Sequence, residues 1–379
     1  MQTVDYRHLA VAGVQTLQPY QPGKPIDELE RELGIKDSLK LASNENPLGS
    51  SPKAVQALQQ ALTTLAFYPD GSGYQLKAAL AKHLPEHLGL QVQQFTLGNG
   101  SNDVLDMIAR AYLGPGRAVV FSEYAFAVYP LATQAVGAEL RIAKAEPAEH
   151  QSMPYGHNLA NLLAKIDEHT RVVFIANPNN PTGTWLKRTE LQNFMQRVPA
   201  DVIVVIDEAY TEYVEEPDFP NALEYLEECP NLIVTRTFSK IYGLAGLRVG
   251  YAVSSPEIAD MLNRVRQPFN VNSLALLAAQ AALQDAAFVQ QSVAINRAGL
   301  QQWMAACEAN HWSFIPSVGN FITLDTQRNA AAVYEALLHE GVIVRPIAGY
   351  GLPQHLRITI GTQTQNQRCI SALQKVLQA

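Results

Sequence analysis

The five consecutive apolar residues Val202-Ile203-Val204-Val205-Ile206 constrain this chain more than any other stretch of it. The run has no polar alternation, so a strand made from it buries both faces and sits in the middle of its sheet. Shorter apolar runs surround it at Ala118–Phe121, Val172–Ala176, Leu232–Thr235 and Val249–Val253, alternating with helical patterns from about residue 95 to 253. That alternation predicts an α/β fold, a mostly parallel sheet covered by helices.

Ser51-Pro52 followed by Val55, Leu58, Leu62 and Leu65 reads as an N-cap, a proline at the first helical position and one apolar face. Past residue 265 the pattern changes. Helical stretches near 274–309 and 330–340 are interleaved with Phe321–Leu324, Val342–Val344 and Leu356–Ile360, which predicts a smaller α+β domain. The first ~45 residues carry prolines and little periodicity and read as an arm packed elsewhere on the assembly. The expected division is an arm and part of the small domain over 1–48, a large domain over 49–265 and a small domain over 266–379.

At 379 residues and 47% hydrophobic, the chain can bury a core of that size. Its net charge of -7, with Lys and Arg scattered, gives no basic stripe for nucleic acid. Cys229, Cys307 and Cys369 form no C-x-x-C pair, which points away from disulfides and thiolate metal sites and toward a reducing cytoplasm. Asp5, Arg7 and His8 stand where a signal peptide would be apolar, and no run reaches the ~18 apolar residues of a membrane span. A soluble intracellular protein is expected.

Ligands of α/β sheets gather at the C-terminal ends of the strands. The central run ends in Asp207-Glu208-Ala209-Tyr210, a carboxylate where a buried strand emerges; taken alone it could be a helix cap. The run before it ends in Asn177-Pro178-Asn179-Asn180-Pro181-Thr182-Gly183, polar side chains on a backbone fixed by two prolines. The run after it leads to Thr237-Phe238-Ser239-Lys240, with Arg248 eight residues on, a set that could hold a phosphate. Gly98-Asn99-Gly100-Ser101-Asn102 precedes a helical pattern, so free N–H groups could receive an anion there, although a plain capping turn looks the same.

A nicotinamide dehydrogenase needs G-x-G-x-x-G, and the third glycine is missing after Gly98 and Gly100. A metal hydrolase built on His83 and His87 would be broken by Pro85. A pure scaffold has no need of Asp207 and Lys240 in register with a phosphate cradle.

Together, and in this order, these motifs resemble the fold type I pyridoxal phosphate (PLP) dependent aminotransferases over about residues 40–361. The resemblance implies that Lys240 holds the cofactor as a Schiff base and that Asp207 pairs with its ring nitrogen. It implies Asn180 and Tyr210 at the phenolic oxygen, and Gly100, Ser101, Asn102, Thr237, Ser239 and Arg248 around the phosphate. Phe126, in Tyr124-Ala125-Phe126-Ala127-Val128-Tyr129, would stack on the ring; relatives often carry tyrosine there, so Tyr129 is the other candidate. The chemistry stands apart from the name, because a lysine amine condenses with an aldehyde and a buried carboxylate keeps a pyridine nitrogen protonated.

Within that family, Leu41-Ala42-Ser43-Asn44-Glu45-Asn46-Pro47, Tyr68-Pro69-Asp70 and Leu356-Arg357-Ile358-Thr359-Ile360-Gly361 look like the histidinol-phosphate aminotransferase branch. The implied substrates are histidinol phosphate and glutamate or 2-oxoglutarate, gripped by Arg357, Arg345, Tyr20 and Asn46. The implied assembly is a homodimer in which Tyr68 reaches the neighbour's cofactor phosphate. Aromatic amino acid aminotransferases and threonine-phosphate decarboxylases share most of the cofactor motifs.

Overall fold

The computed structural model describes residues 4–378, so the first three residues of the expected arm and Ala379 lie outside it. Seven strands make the large sheet: β1 Phe95–Gly98, β2 Ala118–Ser122, β3 Glu139–Ala143, β4 Thr170–Ala176, β5 Ile203–Asp207, β6 Leu232–Thr237 and β7 Gly250–Ser254. Their order is β1-β7-β6-β5-β4-β2-β3. Only β7 runs antiparallel to its neighbours. The apolar run does lie mid-sheet, and its pleat sends Val204 and Ile206 into one core and Val205 into the other.

One face is covered by the helix Ser101–Tyr112, whose Val104, Leu105 and Ile108 pack with Val205 and Ile233. The other is covered by helices Tyr74–His83, Arg188–Met195 and Ser273–Leu283. Strand β3 has no counterpart among the apolar runs of the sequence. It is an edge strand in which Glu139 and Arg141 interrupt the apolar residues and Ile142 is half-exposed.

The smaller domain has a four-stranded antiparallel sheet in the order Arg345–Ile347, Leu352–Thr359, Phe321–Asp325, Ser313–Ile315. Part of the N-terminal segment belongs to it: Leu39–Lys40 pairs parallel with Val342–Ile343, and Leu29 of helix Ile26–Leu33 is buried against Ala42, Leu338 and Ile343.

The expected boundary at 265 falls too early. Ala275, Ala278, Ala279 and Ala282 are fully buried in the core under the large sheet. The crossing is made by the 25-residue helix Ala286–Asn310, with Val289 and Val293 on the large core and Trp303 and Cys307 in the small one. A continuous helix carries no linker composition, so nothing in the sequence marks the passage. No helix among the described residues is long and apolar enough to cross a membrane.

Candidate active site

Strands β4, β5 and β6 run parallel and end side by side at Ala176, Asp207 and Thr237. Over these ends lies a cleft of about 250 Å³ between the large sheet and the small domain. This is where the geometry of parallel sheets places ligands.

Asp207 is buried at the end of the central strand. One carboxylate oxygen accepts from the Tyr129 hydroxyl at 2.9 Å and the other from Thr235 Oγ1 at 3.0 Å. Burial raises its pKa to about 6, and the two hydroxyl donors only partly oppose that shift. A buried carboxylate with no cationic partner of its own is ready to receive a cationic ring nitrogen.

Lys240 reaches the cleft just past β6, its Nζ donating to the Ser43 carbonyl at 3.0 Å. Burial first, and then the Arg357 and Arg248 charges, lower its pKa to about 7, against the opposing pull of Glu45 and Asp207. Much of it is therefore a neutral, nucleophilic amine at neutral pH.

Beside Lys240 lies an anion cradle. Arg248, at φ +56°, donates to Ser239 Oγ at 3.2 Å and to the Ala245 carbonyl at 3.0 Å. Thr237 and Ser239 close one side of the cleft, and the N-terminus of helix Ser101–Tyr112 closes the other. Gly100 is outside the lining, but its role is legible: at φ +84° any Cβ would lie 2.4 Å from Arg248 Nη2. A Cβ on Gly250 would lie 2.4 Å from the Ser101 amide nitrogen. These glycines keep the donors of the cradle in reach of a ligand.

Within the Asn-Pro loop most polar side chains serve the loop itself. Asn177 Oδ1 accepts from the Leu186 amide, and Asn179 Nδ2 donates to Thr182 Oγ1 and the Tyr124 carbonyl. Asn180 is the one facing the cleft, where its Oδ1 accepts from Arg357 Nη1 at 2.5 Å. Arg357 also donates to the Ala42 carbonyl at 2.8 Å, and its Nε is buried without a partner. Both partners are neutral oxygens, so this buried guanidinium lacks a counter-charge.

Arg345 donates to the Gln21 carbonyl at 2.6 Å and packs over the Tyr20 ring, centroid distance 5.4 Å. Tyr210 accepts from Asn44 Nδ2 at 2.9 Å, and burial pushes its pKa up to about 12. Arg345, Tyr20, Tyr210 and Asn44 all line the cleft.

Phe126 lines the cleft, whereas Tyr129 does not; Tyr129 is stacked on Phe174 behind Asp207. Two expected residues lie elsewhere. Asn46 spends its amide on the Ile241 carbonyl, Ser292 Oγ and the Leu48 amide, and its neighbour Asn44 takes the cleft. Tyr68 is 82% exposed and stacks on Phe269 at 4.8 Å, outside the cleft of its own chain. Asn44, Glu45 and Tyr350 line the cleft without having been singled out. The first two stood inside a motif already noted, while nothing local marked Tyr350, which a turn before the last strand carries in.

The family model for class I and II aminotransferases matches residues 36–373. Histidinol-phosphate aminotransferase 2 of Pseudomonas aeruginosa PAO1 is 58% identical over 375 residues, covering 98% of this chain and 99% of that protein. The enzyme of the same name from Pseudomonas fluorescens Pf-5 is 57% identical, covering 98% of each. The crystal structure of histidinol-phosphate aminotransferase from Sinorhizobium meliloti, in complex with pyridoxal-5'-phosphate, superposes with a TM-score of 0.86 at 28% identity over 97% of both chains. The strand-end lysine and aspartate, the anion cradle and these end-to-end matches agree: the chain belongs to the class I and II aminotransferases.

Proposed function

We propose that this chain is a PLP-dependent histidinol-phosphate aminotransferase of the cytoplasm. It would move the amino group of L-histidinol phosphate to 2-oxoglutarate, leaving imidazole acetol phosphate and L-glutamate. The observation that carries the reading is the meeting of Lys240, Asp207 and Arg248 on one cleft that also holds Arg357 and Arg345 with no acidic partner among their hydrogen bonds.

The residues present fit PLP. Arg248, Ser239, Thr237 and the helix start at Ser101 and Asn102 would take its phosphate, in a cradle kept open by Gly100 and Gly250. Phe126 would cover one ring face, Asp207 would pair with the ring nitrogen, and Asn180 and Tyr210 would bond the phenolic oxygen. When bound, the group supplies an aldehyde to capture amines and a ring that accepts the electron pair left at the substrate Cα.

The protein's own residues supply the rest. Asp207 holds a proton on the ring nitrogen, and Tyr129 and Thr235 fix the carboxylate for that task. With PLP bound, Lys240 would serve as the acid and base that carries a proton between the substrate Cα and C4′. Its lowered pKa suits it to both directions. Arg357 orients the α-carboxylate of glutamate in one half-reaction and the phosphate of histidinol phosphate in the other, and Arg345 adds the second cation a phosphate dianion needs.

We also infer a homodimer. Phe67, Tyr68 and Leu277 are exposed apolar residues lining one groove, and Leu62 and Leu65, a few residues before it in the chain, are exposed too, an arrangement a second copy would cover. Tyr68 would then reach the neighbour's cofactor phosphate. The substrate reading is tested by kcat/KM for histidinol phosphate, phenylalanine and tyrosine as amino donors. A preference for either aromatic amino acid would overturn it and leave the aminotransferase assignment intact.

A further inference from the structure

We propose that Asn270 is a positioning residue that locks the phosphate-binding turn to the Tyr68 loop, so that the cofactor phosphate and Tyr68 are seated by one network. The proposal rests on the reading of the site given above.

The turn Leu97–Asn102 and the loop Tyr68–Gly73 are far from each other's chemistry in sequence, and the segment Arg266–Asn270 joins them. Asn270 Nδ2 donates to the Leu97 carbonyl at 3.1 Å and to Asp103 Oδ2 at 2.7 Å. The same Asp103 oxygen accepts from the Asn99 amide at 2.8 Å, which closes the turn onto the first turn of helix Ser101–Tyr112. On its other side, Asn270 Oδ1 accepts from Arg266 Nη1 at 2.9 Å, and Arg266 Nη2 donates to the Gly71 carbonyl at 2.8 Å.

One residue earlier, Phe269 has φ +56° and stacks its ring on Tyr68 at 4.8 Å and 25°. A Cβ at Gly71 would lie 3.2 Å from that ring, so the loop is fitted to it. Adjacent residues thus hold the two halves: Phe269 the Tyr68 ring, Asn270 the turn. Asn270 is not among the residues that line the cleft, so its effect there passes through the groups it holds.

The test titrates the apoprotein with PLP by absorbance and measures its melting temperature alongside. Asn270→Ala should raise the apparent PLP dissociation constant roughly tenfold, the size expected when a hydrogen bond to a carboxylate is removed; the apoprotein, which already makes these bonds, should melt somewhat lower but stay folded at the temperature of the titration. Asn270→Asp, which sets two carboxylates against each other, should bind more weakly still. Adding Asp103→Asn to it relieves the repulsion of two carboxylates beside Arg266 and should recover part of the loss, the donor to the Leu97 carbonyl staying absent. Tyr68→Phe and Asn270→Ala combined should lose less than their separate effects added. Unchanged PLP affinity in Asn270→Ala, fully additive losses in the double variant with Tyr68→Phe, or no recovery in the swap overturns the proposal. Failure of the unmutated protein to take up PLP would instead overturn the reading of the site.

Discussion

The hydroxyl of Tyr129 lies 2.9 Å from Oδ2 of Asp207 and donates to it. The bond explains why this tyrosine is behind the cleft and why the carboxylate of Asp207 is fixed in place before any ligand arrives. It also defines what an amide at position 207 would keep: an oxygen for Tyr129 and an NH₂ facing Thr235 Oγ1.

Asp207→Asn should therefore fold well and work badly. Burial raises the Asp207 pKa from 3.8 to about 6, so the charged form is less at home in the folded protein than in the unfolded one. That penalty is absent below the unfolded pKa, grows as pH rises toward 6 and is complete above it, where it amounts to roughly 2–3 kcal/mol. The apo variant should melt above the unmutated apoprotein at pH 7.5 and converge with it near pH 4. Its kcat should fall on the order of a hundredfold or more, since an amide cannot hold the ring nitrogen's proton. Normal turnover would remove Asp207 from the mechanism.

A second expectation concerns Lys240, whose amine is neutral above about pH 7 and protonated below. The rate at which apoprotein takes up PLP should rise with pH through a midpoint near 7, well under the ordinary lysine value of 10.5. Arg357→Leu removes one of the charges that lowers this pKa and should move the midpoint upward. Borohydride reduction of the loaded protein should label Lys240, and Lys240→Ala should take no label. A midpoint near 10, or a label on another lysine, would sink the assignment.

Much of this site was legible because its pieces are local. The apolar run ending in Asp207, the Ser239-Lys240 pair and the glycines before Ser101 each sit within a few residues of the strand end that positions them. What the sequence hid depends on long-range contact. Asn44 meets Tyr210 across 166 positions, so nothing nearby told it apart from Asn46, whose side chain is consumed by Ile241 and Ser292. Phe126 and Tyr129 are three residues apart around a turn and a helix start, and only the fold decides which faces the cleft. The domain boundary was hidden because the alanine-rich helix Ser273–Leu283 packs on the large core through its alanines while its outer face carries the apolar, exposed Leu277, so no clear polar stripe signals where it belongs.

The exposed position of Tyr68 gives a third prediction. Mixed dimers of Lys240→Ala and Tyr68→Ala subunits contain one site with both residues native, if each site draws Tyr68 from the opposite chain. Mixing two nearly inactive proteins, with subunit exchange verified by mass, should restore up to about a quarter of the unmutated activity per chain, as expected for random pairing of protomers into closed two-fold dimers. No recovery in exchanged dimers would mean that Tyr68 serves its own chain or none.

Arg345 carries the last prediction, on substrate choice. Its guanidinium is held at the cleft by the Gln21 carbonyl and the Tyr20 ring, and no carboxylate is among those partners. Histidinol phosphate brings a dianion to this end of the cleft, whereas phenylalanine brings only an α-carboxylate, which Arg357 alone can hold. Arg345→Leu should therefore cost histidinol phosphate about 2 kcal/mol of transition-state binding, near the low end for a charged pair because the side chain is half-exposed. This corresponds to a roughly thirtyfold fall in kcat/KM. Phenylalanine should change little, and glutamate should fall in between, because its side-chain carboxylate can shift within the pocket. The measurement is kcat/KM for the three donors in both proteins at fixed ionic strength, because screening weakens a half-exposed charge pair. Equal losses for all three donors would mean that Arg345 only pins the arm at Gln21 and Tyr20, and the phosphate would then have to be recognised by Arg357 without it.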